Sequence, residues 1–219
     1  MQTTYNDLLT LGQFATIMAD PPWLFENSTG KMAPEHKRLF RYPTMTNEEI
    51  MAMPVNEIAF PKSHLYLWVP NALIETGLEV MKRWGFTYKT NIVWYKVRKD
   101  GGPDRRGVGF YFRNVTELIL FGVKGNIRTL DPGRSMPNII ISQKREHSRK
   151  PDEVYDVVEQ CSQGPFLELF ARHSRPNWTS WGNQVDSDWN NDVNNLPTFS
   201  TMEFQPRLME KEENKYKPN

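Results

Sequence analysis

From Phe14 to Trp181 the chain alternates short apolar runs with amphipathic or glycine-rich stretches. Runs of this length are brief for buried helices and suit strands, whereas several of the intervening stretches carry helical spacing and capping residues. Phe14–Ala19 reads as a buried strand cut off by Asp20-Pro21-Pro22. Further strands are expected at His64–Val69, Thr90–Val97, Glu117–Val123, Asn138–Ser142, Phe166–Phe170 and Trp178–Trp181. Thr46-Asn-Glu-Glu49 has the spacing of a capping box, in which hydroxyl and carboxylate satisfy orphan amides, and starts a helix to about Met53. Asn71 is expected to cap a helix over Ala72–Trp84, which Gly85 stops because glycine accepts the left-handed conformation. Pro151 suits the first position of a helix running to Cys161, since its missing amide would be unpaired anyway. Strands alternating with helices predict an α/β fold with a mainly parallel sheet and helices on both faces.

A chain of 219 residues is the right size for one such domain with a sizeable core. The single cysteine, Cys161, excludes an intramolecular disulfide and a zinc site built on several thiolates, and suits a reducing cytoplasm. His36, His64 and His147 are too scattered for ligand spacing, so no metal is expected. No apolar run approaches the roughly 18 residues of a membrane span, and Met1–Leu11 lacks the pattern of a signal peptide. After Gln184 the composition shifts to Asn, Asp, Ser, Pro and Lys. One domain over 1–186 and a disordered or loosely attached tail over 187–219 are expected.

The net charge of +1 hides an uneven distribution. Residues 96–150 carry 13 basic side chains against 5 acidic ones, while the flanks are acidic. Most such stretches are solvated faces. Here the glycine-rich loop Arg98–Asn114 and the polar loop Gln143–Lys150 keep contact with a polyanion open.

The tetrapeptide Asp20-Pro21-Pro22-Trp23 stands at the carboxyl end of an apolar strand, where open α/β sheets bind ligands. Two fixed φ angles hold the backbone extended, so the Pro21 carbonyl and the Asp20 carboxylate can project into one small space. Paired acceptors suit an amino group with two hydrogens, such as the exocyclic N6 of adenine. The Trp23 indole either stacks on that base or packs into the core behind a strand-ending turn. Trp68, Trp84 and Trp94 read as core, and Lys96 as either facing nucleic acid or solvated at a strand end.

These residues resemble the MT-A70 family of adenine-N6 methyltransferases. The resemblance runs from about Phe14 to Gln184 and rests on motifs in a shared order. They include Ala19-Asp-Pro-Pro-Trp23, Tyr42-Pro-Thr-Met45, Leu65-Tyr-Leu-Trp-Val69, Ile92-Val-Trp-Tyr-Lys96, Glu117, His147-Ser-Arg-Lys150, Leu167-Glu-Leu-Phe-Ala-Arg172 and Trp181-Gly-Asn-Gln184. It implies a Rossmann-like methyltransferase domain in which the catalytic motif precedes the cofactor motif, with S-adenosylmethionine as methyl donor. By the same resemblance Asp20, Pro21, Pro22 and Trp23 form the adenine-amine site, and Tyr42 lies on the loop that gates it. Lys150 reaches the methionine carboxylate, Glu168, Asn183 and Gln184 bind the ribose, and Phe170 and Arg172 border the same pocket.

Methyl transfer from a sulfonium needs positioning and electrostatics. A flipped-out or single-stranded base can enter such a pocket, and a stacked one cannot. Arg105, Arg106, Asn114 and Arg149, in the two basic loops, are the expected substrate-holding residues. DNA is the favoured polymer and RNA the alternative. Modest net charge leaves room for a second copy or a partner subunit to supply further contacts. Two rival readings are a catalytically weak nucleic-acid-binding subunit and a nicotinamide-dependent enzyme. The retained Asp20 and Trp23 argue against the first, and the missing Gly-x-Gly-x-x-Gly after the first strand against the second.

Overall fold

The computed structural model describes residues 3–24, 44–104, 111–143 and 149–182. Its strands are β1 (Phe14–Ala19), β2 (Ala59–Val69), β3 (Thr87–Val97), β4 (Thr116–Lys124), β5 (Ile139–Gln143), β6 (Phe166–Leu169) and β7 (Trp178–Trp181). They form one sheet in the order β5-β3-β4-β2-β1-β6-β7. Neighbours are parallel except at β4, which runs antiparallel to both β2 and β3. β4 follows β3 through a connection whose described residues hold no helix, and antiparallel neighbours need no crossover. Its reversal matters for the site. Glu117, near the start of β4, pairs with Trp94 near the end of β3, so it lies at the sheet edge where β1 and β2 also end.

Alternation along each strand sorts side chains to two apolar faces. Ile17, Ala19, Leu65, Leu67, Val69, Leu120, Leu167 and Leu169 join one core cluster. Helices α1 (Thr3–Thr10), α2 (Asn47–Met51), α3 (Val55–Ile58) and α4 (Ile74–Arg83) contribute Leu8, Ile50, Val55, Val80 and Met81 to it. Met18, Tyr66, Trp68, Ile92, Trp94, Ile119 and Phe121 form the other cluster. α6 (Glu153–Cys161) covers that face with Val154 and Val158, and α5 (Asp131–Arg134) packs beside it. Burying each such aliphatic side chain contributes about 1.5–3 kcal/mol relative to leaving it exposed. The α/β sheet with helices on both faces is thus the one the sequence predicts.

Local chemistry agrees in part. The capping box at Thr46 forms: its hydroxyl accepts from Glu49 N at 3.2 Å, and its own N–H donates to Glu49 Oε2 at 2.8 Å. The helix it starts ends at Met51. Gly85, at φ +84°, closes α4 as expected. Asn71 does not cap α4. Its amide donates to Thr116 O and Oγ1, each at 3.2 Å, and a short 3-10 turn over Asn71–Leu73 leads into the helix. Pro151 is buried ahead of α6, and Asp152 takes the capping position. Helix α1 has no counterpart among the expected elements. The expected tail over 187–219 lies outside the described residues. Among the described residues no helix is long and apolar enough to cross a membrane.

Candidate active site

Four charged side chains meet at the edge where β1, β2 and β3 end. Lys150, in the segment before α6, places Nζ 3.2 Å from Asp20 Oδ1 and 2.9 Å from Glu117 Oε2. Lys96, near the end of β3, pairs with the other oxygen of Glu117. The result is a continuous chain, Lys96–Glu117–Lys150–Asp20, with alternating charge. Two tryptophans form its floor: Lys150 Nζ lies 4.7 Å from the Trp68 ring centroid and Lys96 Nζ 4.7 Å from that of Trp94. Each ring face attracts its cation. Burial opposes ionisation of Glu117, but Lys150 and Lys96 outweigh it and hold the carboxyl at about 2. Burial likewise works against the charge of Lys150, yet Asp20 and Glu117 raise its pKa above the usual lysine value.

Lys150 and Asp20 also line a cavity of about 220 Å³, together with Glu168, Phe170, Arg172 and Tyr155. Glu168 belongs to β6, and its carboxylate oxygens each accept from the Tyr155 hydroxyl of α6 at 2.9 Å. Burial raises the Glu168 pKa to about 7; the Tyr155 hydrogen bond pulls it down, and nearby Asp20 pushes it up. Phe170 has φ +64°, a left-handed conformation that is strained for a bulky side chain. Strain of this kind costs on the order of 1–3 kcal/mol and concentrates at ligand sites.

The tetrapeptide divides between site and core. Asp20 faces the cavity. The Pro21 carbonyl accepts from Trp23 N at 2.8 Å, which leaves it one lone pair. Pro22 O accepts from Met45 N at 2.9 Å, tying the motif to the segment just before α2. The Trp23 ring is only 5% exposed, and its Nε1 donates to Trp68 O at 3.0 Å. The indole thus packs into the core and anchors the motif from beneath.

Of the other expected residues, Arg149 lines the cavity and pairs with Asp152 at 3.1 Å. Asn114 is exposed in the segment before β4 and is not among the cavity residues. Tyr42, Arg105, Arg106, Asn183 and Gln184 lie outside the described residues. Lys96 is not a solvated lysine, since its side chain is only 12% exposed and ion-paired. Glu117, Tyr155, Asp152 and Arg175 carry no assigned role in the sequence reading. The one available signal was Glu117, a charged residue opening an apolar strand.

An α/β sheet with one reversed strand, an acid at a strand's carboxyl end and a charged cavity beside it define a Rossmann-like methyltransferase fold. The chain belongs to the MT-A70 family, whose model matches residues 14–184. It is similar to the N(6)-adenosine-methyltransferase MT-A70-like protein of Drosophila melanogaster, 34% identical over 186 residues, 83% of this chain and 28% of that protein. The catalytic subunit METTL3 of Homo sapiens is also 34% identical over 186 residues, 83% of this chain and 30% of that protein. The type II methyltransferase M.MunI of Mycoplasma sp is 29% identical over 189 residues, 79% of this chain and 78% of that protein. The chain thus spans less than a third of the animal relatives and most of the length of M.MunI.

Proposed function

We propose that the protein transfers a methyl group from S-adenosylmethionine to the exocyclic N6 amine of adenine in a nucleic acid. One observation carries the reading: the Asp20 carboxylate opens into a cavity that also presents Lys150 and Glu168. A cation beside two carboxylates suits a zwitterionic amino-acid end and ribose hydroxyls, and Phe170 adds an apolar surface for a base. Lys150, Glu168, Phe170 and Arg172 would hold the cofactor, together with Asn183 and Gln184. When bound, the cofactor supplies a methyl group on a cationic sulfur, a ready electrophile.

The chain's own residues position the amine. Lys150 engages Asp20 Oδ1. Asp20 Oδ2 and the remaining lone pair of the Pro21 carbonyl then accept the two amine hydrogens. Those bonds favour a more pyramidal nitrogen with an available lone pair. Glu117 keeps Lys150 in place through its own ion pair. By the family resemblance Tyr42 contributes to substrate binding, and Arg105, Arg106, Asn114 and Arg149 hold phosphates.

DNA is the polymer in the first reading, because M.MunI, a relative matched over most of its length, is a type II methyltransferase, a class we read as DNA-modifying. RNA is the second reading, favoured by the higher identity to adenosine methyltransferases. The test offers labelled methyl donor with matched DNA and RNA, single- and double-stranded. Label on adenine N6 of DNA supports the first reading, and label only on RNA supports the second. Asp20→Ala abolishes transfer to either; full activity in that variant refutes the site.

A further inference from the structure

Glu168 does not stand alone in the cavity wall. The Tyr155 hydroxyl donates to both of its oxygens at 2.9 Å, so one phenol sets the rotation of the carboxylate. Two side chains pack against the phenol ring itself. The Arg175 guanidinium lies 3.7 Å from the Tyr155 ring centroid, and Trp178 meets the ring edge-on at 5.3 Å. Arg175 in turn bonds Asp152 Oδ1 at 3.0 Å, and Arg149 bonds the same carboxylate. Asp152 is two residues beyond Lys150 and stands at the first position of the turn that opens the helix carrying Tyr155. The loop after β6 and the segment before α6 are therefore cross-linked through one aspartate, with Lys150 on one arm and Glu168 on the other.

We propose that Tyr155 is a positioning residue for the cofactor: its hydroxyl aims the Glu168 carboxylate into the cavity, and the Asp152–Arg175 pair holds Tyr155 in register. The proposal rests on the assignment of Glu168 to the cofactor site made above. Each carboxylate oxygen has a second lone pair, so the acceptors that face the cavity stay open for a ligand hydroxyl or ammonium. Without the phenol the carboxylate turns freely and loses a donor that favours its charged form. The groups that face Glu168 are Tyr155 from α6, Asp20 beyond β1, and Arg172 and Arg175 beyond β6. The phenol and the two arginines favour the carboxylate, whereas burial and Asp20 disfavour it. Removing the phenol therefore moves the protonation midpoint of Glu168 upward from about 7. An acceptor role needs the ionised form, so cofactor binding in the variant requires a higher pH.

The measurement is calorimetric binding of S-adenosylmethionine to the full chain across pH 6–9, without nucleic acid. Tyr155→Phe keeps the ring and its Arg175 stack. We expect about tenfold weaker binding at pH 7, since a hydrogen bond to a charged group is lost, with recovery toward wild type as the pH rises. Arg175→Gln is the second variant and shifts the binding midpoint in the same direction by a smaller amount. Carboxyl-carbon NMR of Glu168 in the cofactor-free protein gives an independent readout, and its midpoint rises in both variants. Glu168→Gln separates two failures. If it weakens binding while both other variants bind like wild type with an unshifted midpoint, the positioning role is overturned. If Glu168→Gln itself binds normally, the assignment of Glu168 to the cofactor is wrong and the proposal falls with it.

Discussion

Replacing Glu117 with glutamine tests the charge chain most directly. Its carboxyl sits at about 2, against an ordinary 4.5, despite burial that works the other way. A depression of that size corresponds to roughly 3 kcal/mol favouring the ionised form in the folded protein. The sign follows from linkage. A folded-state value below the unfolded one contributes stability that is present above about 4.5 and is lost as the pH falls through about 2. Near pH 3 about two fifths of it remains. The side chain is 29% exposed, so water screens part of the interaction and about 2–3 kcal/mol is the expected loss in Glu117→Gln at pH 7. The variant also leaves Lys96 and Lys150 without the anion between them. Urea unfolding of both proteins, followed by tryptophan fluorescence at pH 7, 5 and 3, gives the difference directly. It should be largest at pH 7, nearly unchanged at pH 5, and reduced to about two fifths at pH 3. A difference that stays flat across this range, or is below about 0.5 kcal/mol at pH 7, refutes the reasoning.

A different acid window belongs to His64, whose pKa burial lowers from 6.5 to about 4. Between those values only the unfolded chain takes up the proton, so stability falls by roughly 3 kcal/mol as the pH drops across the interval. His64→Phe should flatten that part of the stability–pH curve. Gly125→Ala places a Cβ 2.2 Å from the Pro61 carbonyl oxygen at a residue with φ +70°, and is expected to cost about 2–3 kcal/mol by thermal or urea unfolding. Trp23→Phe removes the donor to the Trp68 carbonyl and should cost about 1–2 kcal/mol. Unchanged stability in that variant means the indole N–H does not anchor the motif.

Much of the site was readable because its pieces are local. Asp20 follows an apolar run cut off by two prolines, so its place at a strand end follows from the sequence alone. Lys150 and Glu168 sit in motifs that match a known family, and the structure brings both to one cavity with Asp20. Other readings failed where a distant partner competed. The Asn71 amide reaches Thr116, and a cap was given up for a bond between residues 45 apart. Lys96 follows Trp94-Tyr95 in a strand, and nothing nearby in the sequence shows that Glu117 waits across the reversed neighbour.

The sequence by itself determined which segments become strands, which faces are apolar, where the ligand-binding edge begins and which family chemistry to expect. Those properties depend on spacing and side-chain type over a few residues. Tertiary structure decided the direction of β4, the burial of Trp23 and the partners of Lys96, Glu117, Tyr155 and Arg175. These depend on chain reversals and on side chains from separate strands and helices arriving at one edge. Charge and hydrogen-bond energies vary steeply with distance and burial, so only the assembled sheet could set them.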